Sequence, residues 1–138
     1  MATRSRIGIQ LKDNSVLSVY HHWDGYPEWL GRILNTHYNS REQAAELIDG
    51  GDMSSCWTDT VWGKDRTDGK KYGPETYAAR GENCPPRLDD LFEYLDKKNN
   101  EEYAYIWTVN DKWVCMNMNQ FNDNNPEKVE IPSGALAV

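Results

Sequence analysis

Apolar and polar residues alternate near the start of the chain. Ile7, Ile9 and Leu11 fall on one face of a predicted half-buried strand over residues 6–12. A second alternating run covers residues 16–22. The Asp-Asn pair between the two runs is typical of a hairpin tip, because both residue types tolerate unusual backbone angles. The pattern therefore predicts an N-terminal β-hairpin.

Helical spacing replaces this alternation after Pro27, a residue type that suits the first turn of a helix. Ser40 and Gln43 have capping-box spacing, which indicates a second helix beginning at Arg41. Leu88, Leu91, Phe92 and Leu95 have helical spacing after a Pro-Pro pair. The pattern predicts three helices, over residues 27–38, 41–49 and 87–98.

Two further strands are predicted near the end of the chain, over residues 103–109 and 112–120, around an Asn-Asp turn. Residues 52–86 have a weak pattern and are predicted to be largely irregular. We therefore predict a single α+β domain over residues 1–121, with an antiparallel sheet built from the N-terminal and C-terminal hairpins and about three helices packed mainly on one face. Residues 122–138 are predicted to form an irregular or poorly ordered tail.

Composition and charge narrow the possible classes of function. The formal net charge of −7 argues against non-specific nucleic-acid binding and is compatible with a basic protein partner. No apolar run approaches the roughly 20 residues that span a bilayer, and the first residues lack an apolar signal core. Three widely spaced cysteines without zinc-ligand spacing predict reduced thiols and no metal site. We therefore expect a cytoplasmic protein without a membrane partner.

Candidate chemistry concentrates in YHHWDGYPEWLGRIL, residues 20–34. His21 and His22 lie on opposite faces if both belong to the strand, so they cannot share one metal ion. His21 is predicted to be a hydrogen-bonded core residue. His22 lies two residues from Asp24, which could fix its tautomer or hold it protonated. This pair is a candidate for catalysis or binding, although polar residues at such a turn are more often structural.

The start of the first predicted helix offers a general anion site, because the backbone N–H groups of a helix start are free. Gly25 would allow close backbone approach and is predicted to take a backbone angle that a branched residue cannot adopt. An arginine at the end of the irregular segment, Arg80, could bind a phosphate or carboxylate, or pair with Glu82 on the surface. The predicted ligand- or partner-binding residues are His22, Trp23, Asp24, Gly25, Tyr26, Trp29, Arg80 and Glu82.

Five segments of the chain together carry a resemblance to a known group of proteins. They are TRSRIGI, YHHWDGYPEWLGRIL, LIDGGDMS, YAARGE and YAYIWTVNDKWVCMN, and they span about residues 3–119. The chain resembles small proteins of phage and prophage genomes that carry an HWDGYP-type motif. The resemblance implies an accessory protein that acts in the bacterial cytoplasm. It supplies no activity, and Ala79 stands where the family is expected to have an aspartate before the arginine of its RGE segment.

Three hypotheses of function follow. The first is a binding protein, anti-CRISPR-like, that inhibits a host or anti-phage defence component by protein contact. The second is a protein that sequesters an anionic nucleotide-like small molecule at the helix start, and the third is a small hydrolase that uses the pair of His22 and Asp24. No complete set of catalytic residues is recognisable in the sequence, so we expect binding without catalysis and without a cofactor.

Overall fold

The computed structural model describes residues 2–133 and forms a single α+β domain. The helical part of the chain begins with a single π-helical turn (Pro27–Gly31). No helix of the described residues is long and apolar enough to cross a membrane. The helices are α1 (Arg32–His37), α2 (Arg41–Asp49) and α3 (Leu91–Tyr94). The strands are β1 (Ser5–Gln10), β2 (Ser15–His21), β3 (Met53–Thr58), β4 (Thr60–Val61), β5 (Lys64–Asp65), β6 (Gly73–Thr76), β7 (Arg87–Asp90), β8 (Tyr103–Trp107), β9 (Trp113–Asn117) and β10 (Glu127–Val129).

The main sheet is mixed, with strand order β10-β9-β8-β1-β2-β3-β6, and β7 pairs separately with β2. Both predicted hairpins are present, β1 with β2 and β8 with β9. The prediction of a purely antiparallel sheet is wrong at two places, because β1 pairs with β8 and β2 with β3 in the parallel sense. The helical segment between β2 and β3 brings Met53, the first residue of β3, beside His21, the last residue of β2, so that β3 continues in the direction of β2.

Apolar side chains cover both faces of the sheet. One face buries Ile7, Val19 and Tyr105 against the helices that follow β2. The opposite face buries Val16 and Ile106 beneath α3 and its neighbours. Two of the three helices therefore share one face, as the hydrophobic pattern predicts, and the short α3 lies on the other face.

The predicted helix over residues 87–98 is wrong for its first turn and its last. Arg87–Asp90 forms strand β7, which pairs antiparallel with Ser15–Ser18 of β2. The Pro-Pro pair before it favours extended backbone, and the open edge of β2 supplies hydrogen-bond partners. The helix begins only after Asp90, whose carboxylate accepts a hydrogen bond from Glu93 N–H in a capping box, and it ends at Tyr94.

The predicted irregular regions also contain strands. Residues 52–86 contribute β3 and β6 to the main sheet, with a small β4–β5 hairpin between them. The predicted tail includes β10, which pairs antiparallel with β9 at the edge of the sheet. Short strands with polar side chains carry little alternating signal, which is why the sequence pattern does not place them. Residues 134–138 lie outside the described residues.

The outer edge of β2 is shared between two strands. Strand β7 pairs with β2 as far as Ser18, and β3 pairs with it only from His21. Asp52 lies in the gap, where its Oδ1 accepts a hydrogen bond from Tyr20 N–H at 2.8 Å. The aspartate thus satisfies a backbone donor that neither strand reaches.

Candidate functional site

The turn after β2 depends on two neighbouring residues. Asp24 takes a positive φ of 58°, whereas the φ of Gly25 is not positive, so the predicted backbone reason for this glycine is wrong. Gly25 is required for space instead. A Cβ atom on it would lie 2.5 Å from Ser5 Oγ and 2.7 Å from the Thr3 carbonyl oxygen. Its N–H donates to that same carbonyl, and its own carbonyl accepts from Tyr105 Oη.

His21 is a fully buried core histidine, as predicted. Its Nε2 accepts a hydrogen bond from Cys56 N–H at 3.1 Å, so the ring proton is on Nδ1, which faces Ser5 Oγ at 3.2 Å. Burial, with a smaller contribution from His22, lowers the pKa of His21 to about 3. His21 is therefore neutral and structural.

His22 lies on the opposite face and belongs to a cluster of rings. Its Nδ1 lies 2.6 Å from the hydroxyl of Tyr20, and burial raises the pKa of that phenol. This hydrogen bond occupies Nδ1 of His22 and leaves Nε2 as the other polar atom of the ring. Trp23 packs edge-on against His22 with ring centroids 4.7 Å apart, and 48% of its surface is exposed.

Arg80 is part of a second ring cluster next to the first. Its guanidinium lies over the rings of Trp62 and Tyr77, 4.4 Å and 4.8 Å from their centroids. Glu82 pairs with the same guanidinium, as the surface ion-pair interpretation predicts. The arginine is thus held between two rings and a carboxylate, and 41% of its side chain remains exposed.

Hydrogen bonds through β3 and β6 join the two clusters. The carbonyl of Ser54 accepts from Trp23 N–H, and its hydroxyl donates to Glu75. Glu75 Oε1 in turn accepts from Trp62 N–H at 2.6 Å. Asp52 makes a second connection, since its side chain binds Tyr20 N–H and its carbonyl binds Tyr77 N–H. We call the resulting set the aromatic surface: Tyr20, His22, Trp23, Trp62, Tyr77 and Arg80.

The other predicted site residues lie in different surroundings. Asp24 is exposed, and the hydrogen bonds of residues 2–133 include none between it and His22. Tyr26 lines a hollow of about 320 Å³ together with Glu102 and Phe121. Trp29 packs against the main core. The structure therefore brings His22, Trp23, Arg80 and Glu82 onto neighbouring elements, and places Asp24, Gly25, Tyr26 and Trp29 outside the aromatic surface.

Sequence reasoning missed Trp62 and Tyr77, because both lie in the segment without a clear pattern. One local signal was present. Trp62 and Gly63 form the tip between β4 and β5, and both have positive φ, 50° and 73°. A glycine at the end of a two-residue tip is typical of tight hairpins. A tryptophan beside it in the left-handed region is uncommon and indicates a constrained position.

Two of the cysteines are buried and poorly suited to react. Burial raises the pKa of the Cys56 and Cys115 thiols to about 12, which suppresses the thiolate. Within residues 2–133 no three His, Cys, Asp or Glu side chains are grouped closely enough to hold a metal ion.

Comparison with known proteins adds no assignment. No protein-family model, no curated protein and no solved structure matches the chain.

Proposed function

We propose that the protein acts by binding a protein partner through the aromatic surface. The partner is a component of the bacterial host or of its anti-phage defence, and binding in the host cytoplasm inhibits it. The resemblance of the HWDGYP-type segments to phage proteins supports this choice of partner. No catalytic step is part of the proposal.

The observation that carries the proposal is the conformation of Trp62. A non-glycine residue in the left-handed region costs roughly 1–2 kcal/mol. Trp62 is 39% exposed, so more than a third of its surface faces solvent. The Glu75 carboxylate holds the backbone of Trp62, and Arg80 covers the ring. A bulky side chain kept in a strained position, yet presented to solvent, is typical of a functional contact.

The composition of the aromatic surface agrees with a protein interface. Trp, Tyr and Arg are the residue types most enriched among residues that dominate binding energies. Arg80 is already ordered by two rings and Glu82, so less side-chain entropy is lost when a partner packs on it.

The alternative functions have less support from the geometry. A nucleotide-like anion at the helix start would need free N–H groups there, but Pro27 has none and the N–H groups of Trp29 and Leu30 donate to the Tyr26 carbonyl. A hydrolase would need His22 oriented by Asp24, and the Nδ1 of His22 faces Tyr20 instead.

Affinity capture from a lysate of a phage-sensitive bacterium, with quantification by mass spectrometry, tests the proposal. Trp62→Asn places a residue that favours positive φ at the tip. We expect the variant to stay folded at the temperature of the capture experiment, which circular dichroism checks, and to reduce recovery of one specific partner at least about tenfold. Arg80→Lys keeps the charge and loses the planar stacking, so we expect an intermediate loss.

Arg87→Lys is the matched control, because the Arg87 side chain is also 41% exposed and also pairs with a carboxylate, that of Asp89. It should retain full recovery of the partner. Equal recovery with Trp62→Asn and wild type would contradict the proposal. So would a Trp62→Asn protein that loses the partner only because its melting temperature has fallen.

A further inference from the structure

A polar hollow lies at the end of the sheet where β8 begins and β9 ends. Tyr103 and Asn117 are directly opposite each other in these strands, and both line the hollow, which has a volume of about 320 Å³. By type, its lining residues are four amides, one threonine, three aromatic residues and one carboxylate. The volume falls within the range of small-molecule sites, roughly 300–1,000 Å³.

Two of the four amides offer an oxygen atom as an acceptor. Asn119 is only 6% exposed, and its Nδ2 donates to the Asn125 carbonyl at 2.6 Å. The Nε2 of Gln120 donates to the carbonyls of Lys97 and Glu101, both at 2.9 Å. These bonds hold both side chains in place. Among the described residues, no donor is hydrogen-bonded to Oδ1 of Asn119 or to Oε1 of Gln120. Each oxygen atom is therefore a fixed acceptor for a ligand.

The other two amides offer N–H donors. Oδ1 of Asn117 accepts a hydrogen bond from Asn119 N–H at 2.9 Å, and Oδ1 of Asn122 accepts one from Asn124 N–H at 2.8 Å. Within the described chain, Nδ2 of Asn117 and Nδ2 of Asn122 donate to no acceptor. The backbone donors fix the oxygen end of both amides, so the NH2 group is the free end. The hollow thus combines fixed acceptors with fixed donors.

The charges around the hollow do not favour an ion of either sign. Glu102 is the single charged residue among the described residues that line it. An adjoining hollow of about 290 Å³ shares Glu102, Gln120 and Phe121 with the first and adds Arg4, while its other lining residues are neutral. One carboxylate and one guanidinium balance each other, whereas the amides suit neutral groups that both donate and accept.

Aromatic residues supply the apolar part of the lining. Tyr26 and Tyr103 are partly buried in the first hollow, and Phe121 lines both hollows with 80% of its surface exposed. A sugar matches this combination, since its hydroxyl groups both donate and accept and its C–H groups pack on aromatic rings.

We propose that the two hollows form a binding site for a neutral oligosaccharide. One sugar unit occupies the larger hollow, where its hydroxyl groups bind the free ends of Asn117 and Asn119, and the next unit extends past Phe121 into the adjoining hollow. A nucleotide is a poor occupant, because its phosphate would face Glu102 in a chain of net charge −7. The inference goes beyond the proposed function and does not depend on the aromatic surface.

An array of immobilised neutral oligosaccharides, probed with the fluorescently labelled full-length protein, tests the proposal. We expect the protein to bind a subset that shares one sugar unit. A disaccharide containing that unit is then titrated into the ¹⁵N-labelled protein and followed by NMR. The side-chain NH2 signals of Asn117 and Asn122 should shift. The signal of Asn14 should not, because Asn14 lies at the β1–β2 hairpin and lines neither hollow.

Three variants separate the contributions to affinity. Asn117→Asp keeps the acceptor for Asn119 N–H and removes the free donor, so we expect binding about tenfold weaker. Phe121→Ser should weaken binding severalfold. Glu102→Gln keeps an acceptor oxygen and removes the charge, and it should change the affinity for a neutral sugar less than about threefold.

Phe92→Ser is the matched control for Phe121→Ser, because Phe92 is 86% exposed and lines neither hollow. It should leave the affinity unchanged, and circular dichroism checks that each variant is folded.

Four results would overturn the inference. They are an array without any bound oligosaccharide, equal weakening by Phe121→Ser and Phe92→Ser, loss of binding in Glu102→Gln, and tighter binding of the nucleoside adenosine than of the disaccharide. Loss of binding in Glu102→Gln would indicate a cationic ligand instead. All of these variants leave Trp62 and Arg80 unchanged, so failure here is distinguishable from failure of the proposed function.

Discussion

At the scale of single residues, the turn after β2 needs one residue with a positive φ and one residue without a side chain, and two neighbouring residues meet these needs. Asp24 takes the positive φ, and Gly25 provides the close approach to Thr3 and Ser5. Aspartate is among the few non-glycine residues that tolerate this region. The segment HWDGYP can therefore reverse the chain tightly while Trp23 stays exposed and Gly25 is buried.

Gly25→Ala should destabilise the protein, because the new methyl group would overlap the Thr3 carbonyl and the Ser5 side chain. We expect a loss of about 1–3 kcal/mol of unfolding free energy, and a larger loss for Gly25→Val. Asp24→Gly should be neutral or slightly stabilising, since glycine removes the strain at positive φ. Urea denaturation of the three variants measures both effects. If Asp24→Gly lowered the free energy of unfolding as much as Gly25→Ala, these separate roles of Asp24 and Gly25 would be contradicted.

His21 links the same turn to the stability of the whole fold. Its pKa of about 3 in the folded state lies below the ordinary value of 6.5, so the unfolded chain binds a proton first as the pH falls. The free energy of unfolding should therefore decrease as the pH drops through 6.5, and the loss continues towards 3.

The expected loss from His21 is about 2 kcal/mol between about pH 7 and pH 5, a window in which most carboxylates stay ionised. His21→Gln keeps an acceptor for Cys56 N–H and cannot titrate there. The difference in pH dependence between wild type and this variant, measured by urea denaturation, isolates the contribution. If the unfolding free energies of wild type and His21→Gln fell equally between about pH 7 and pH 5, His21 would not be the group that causes the loss.

At the scale of elements, periodicity predicted those segments whose burial is regular. Strands β1, β2, β8 and β9 and helix α2 carry clear alternation, helical spacing or a cap, and each lies close to its predicted range. Segment 87–98 was mispredicted because the open edge of β2 competes with helix formation. Local residue spacing carries no information about pairing with a strand that is distant in the sequence. The two parallel pairings are also long-range properties that local spacing does not contain.

Asp52 has a structural role in the sheet, because it binds the part of the β2 edge that neither β7 nor β3 reaches. Asp52→Ala should leave Tyr20 N–H without a partner and cost about 1–3 kcal/mol. Asp52→Asn retains an acceptor oxygen and should cost much less. Hydrogen exchange at the Tyr20 amide, together with urea denaturation, distinguishes the two variants. Equal stability of the Ala and Asn variants would show that the bond contributes nothing.

At the scale of the whole molecule, the sequence predicts some members of the aromatic surface as binding residues and omits others. His22 and Trp23 are predicted because they follow a recognisable strand, and Arg80 is predicted as the cation near the end of the irregular segment. Trp62 and Tyr77 join them only because β3 and β6 pair and fold the β4–β5 hairpin towards Arg80. That pairing includes two register shifts, which sequence spacing does not indicate.

Site-specific photocrosslinking tests the central claim most directly. The photoreactive amino acid p-benzoylphenylalanine is placed at position 23, replacing Trp23, and at position 109, replacing Val109, because both residues are 48% exposed. Val109 lies beside Gln10, at the end of β1 opposite to the end that pairs with His21. In lysate of the bacterial host, the account predicts a covalent adduct to one partner protein from position 23 and none from position 109. Crosslinking of that partner from position 109 alone would contradict the account.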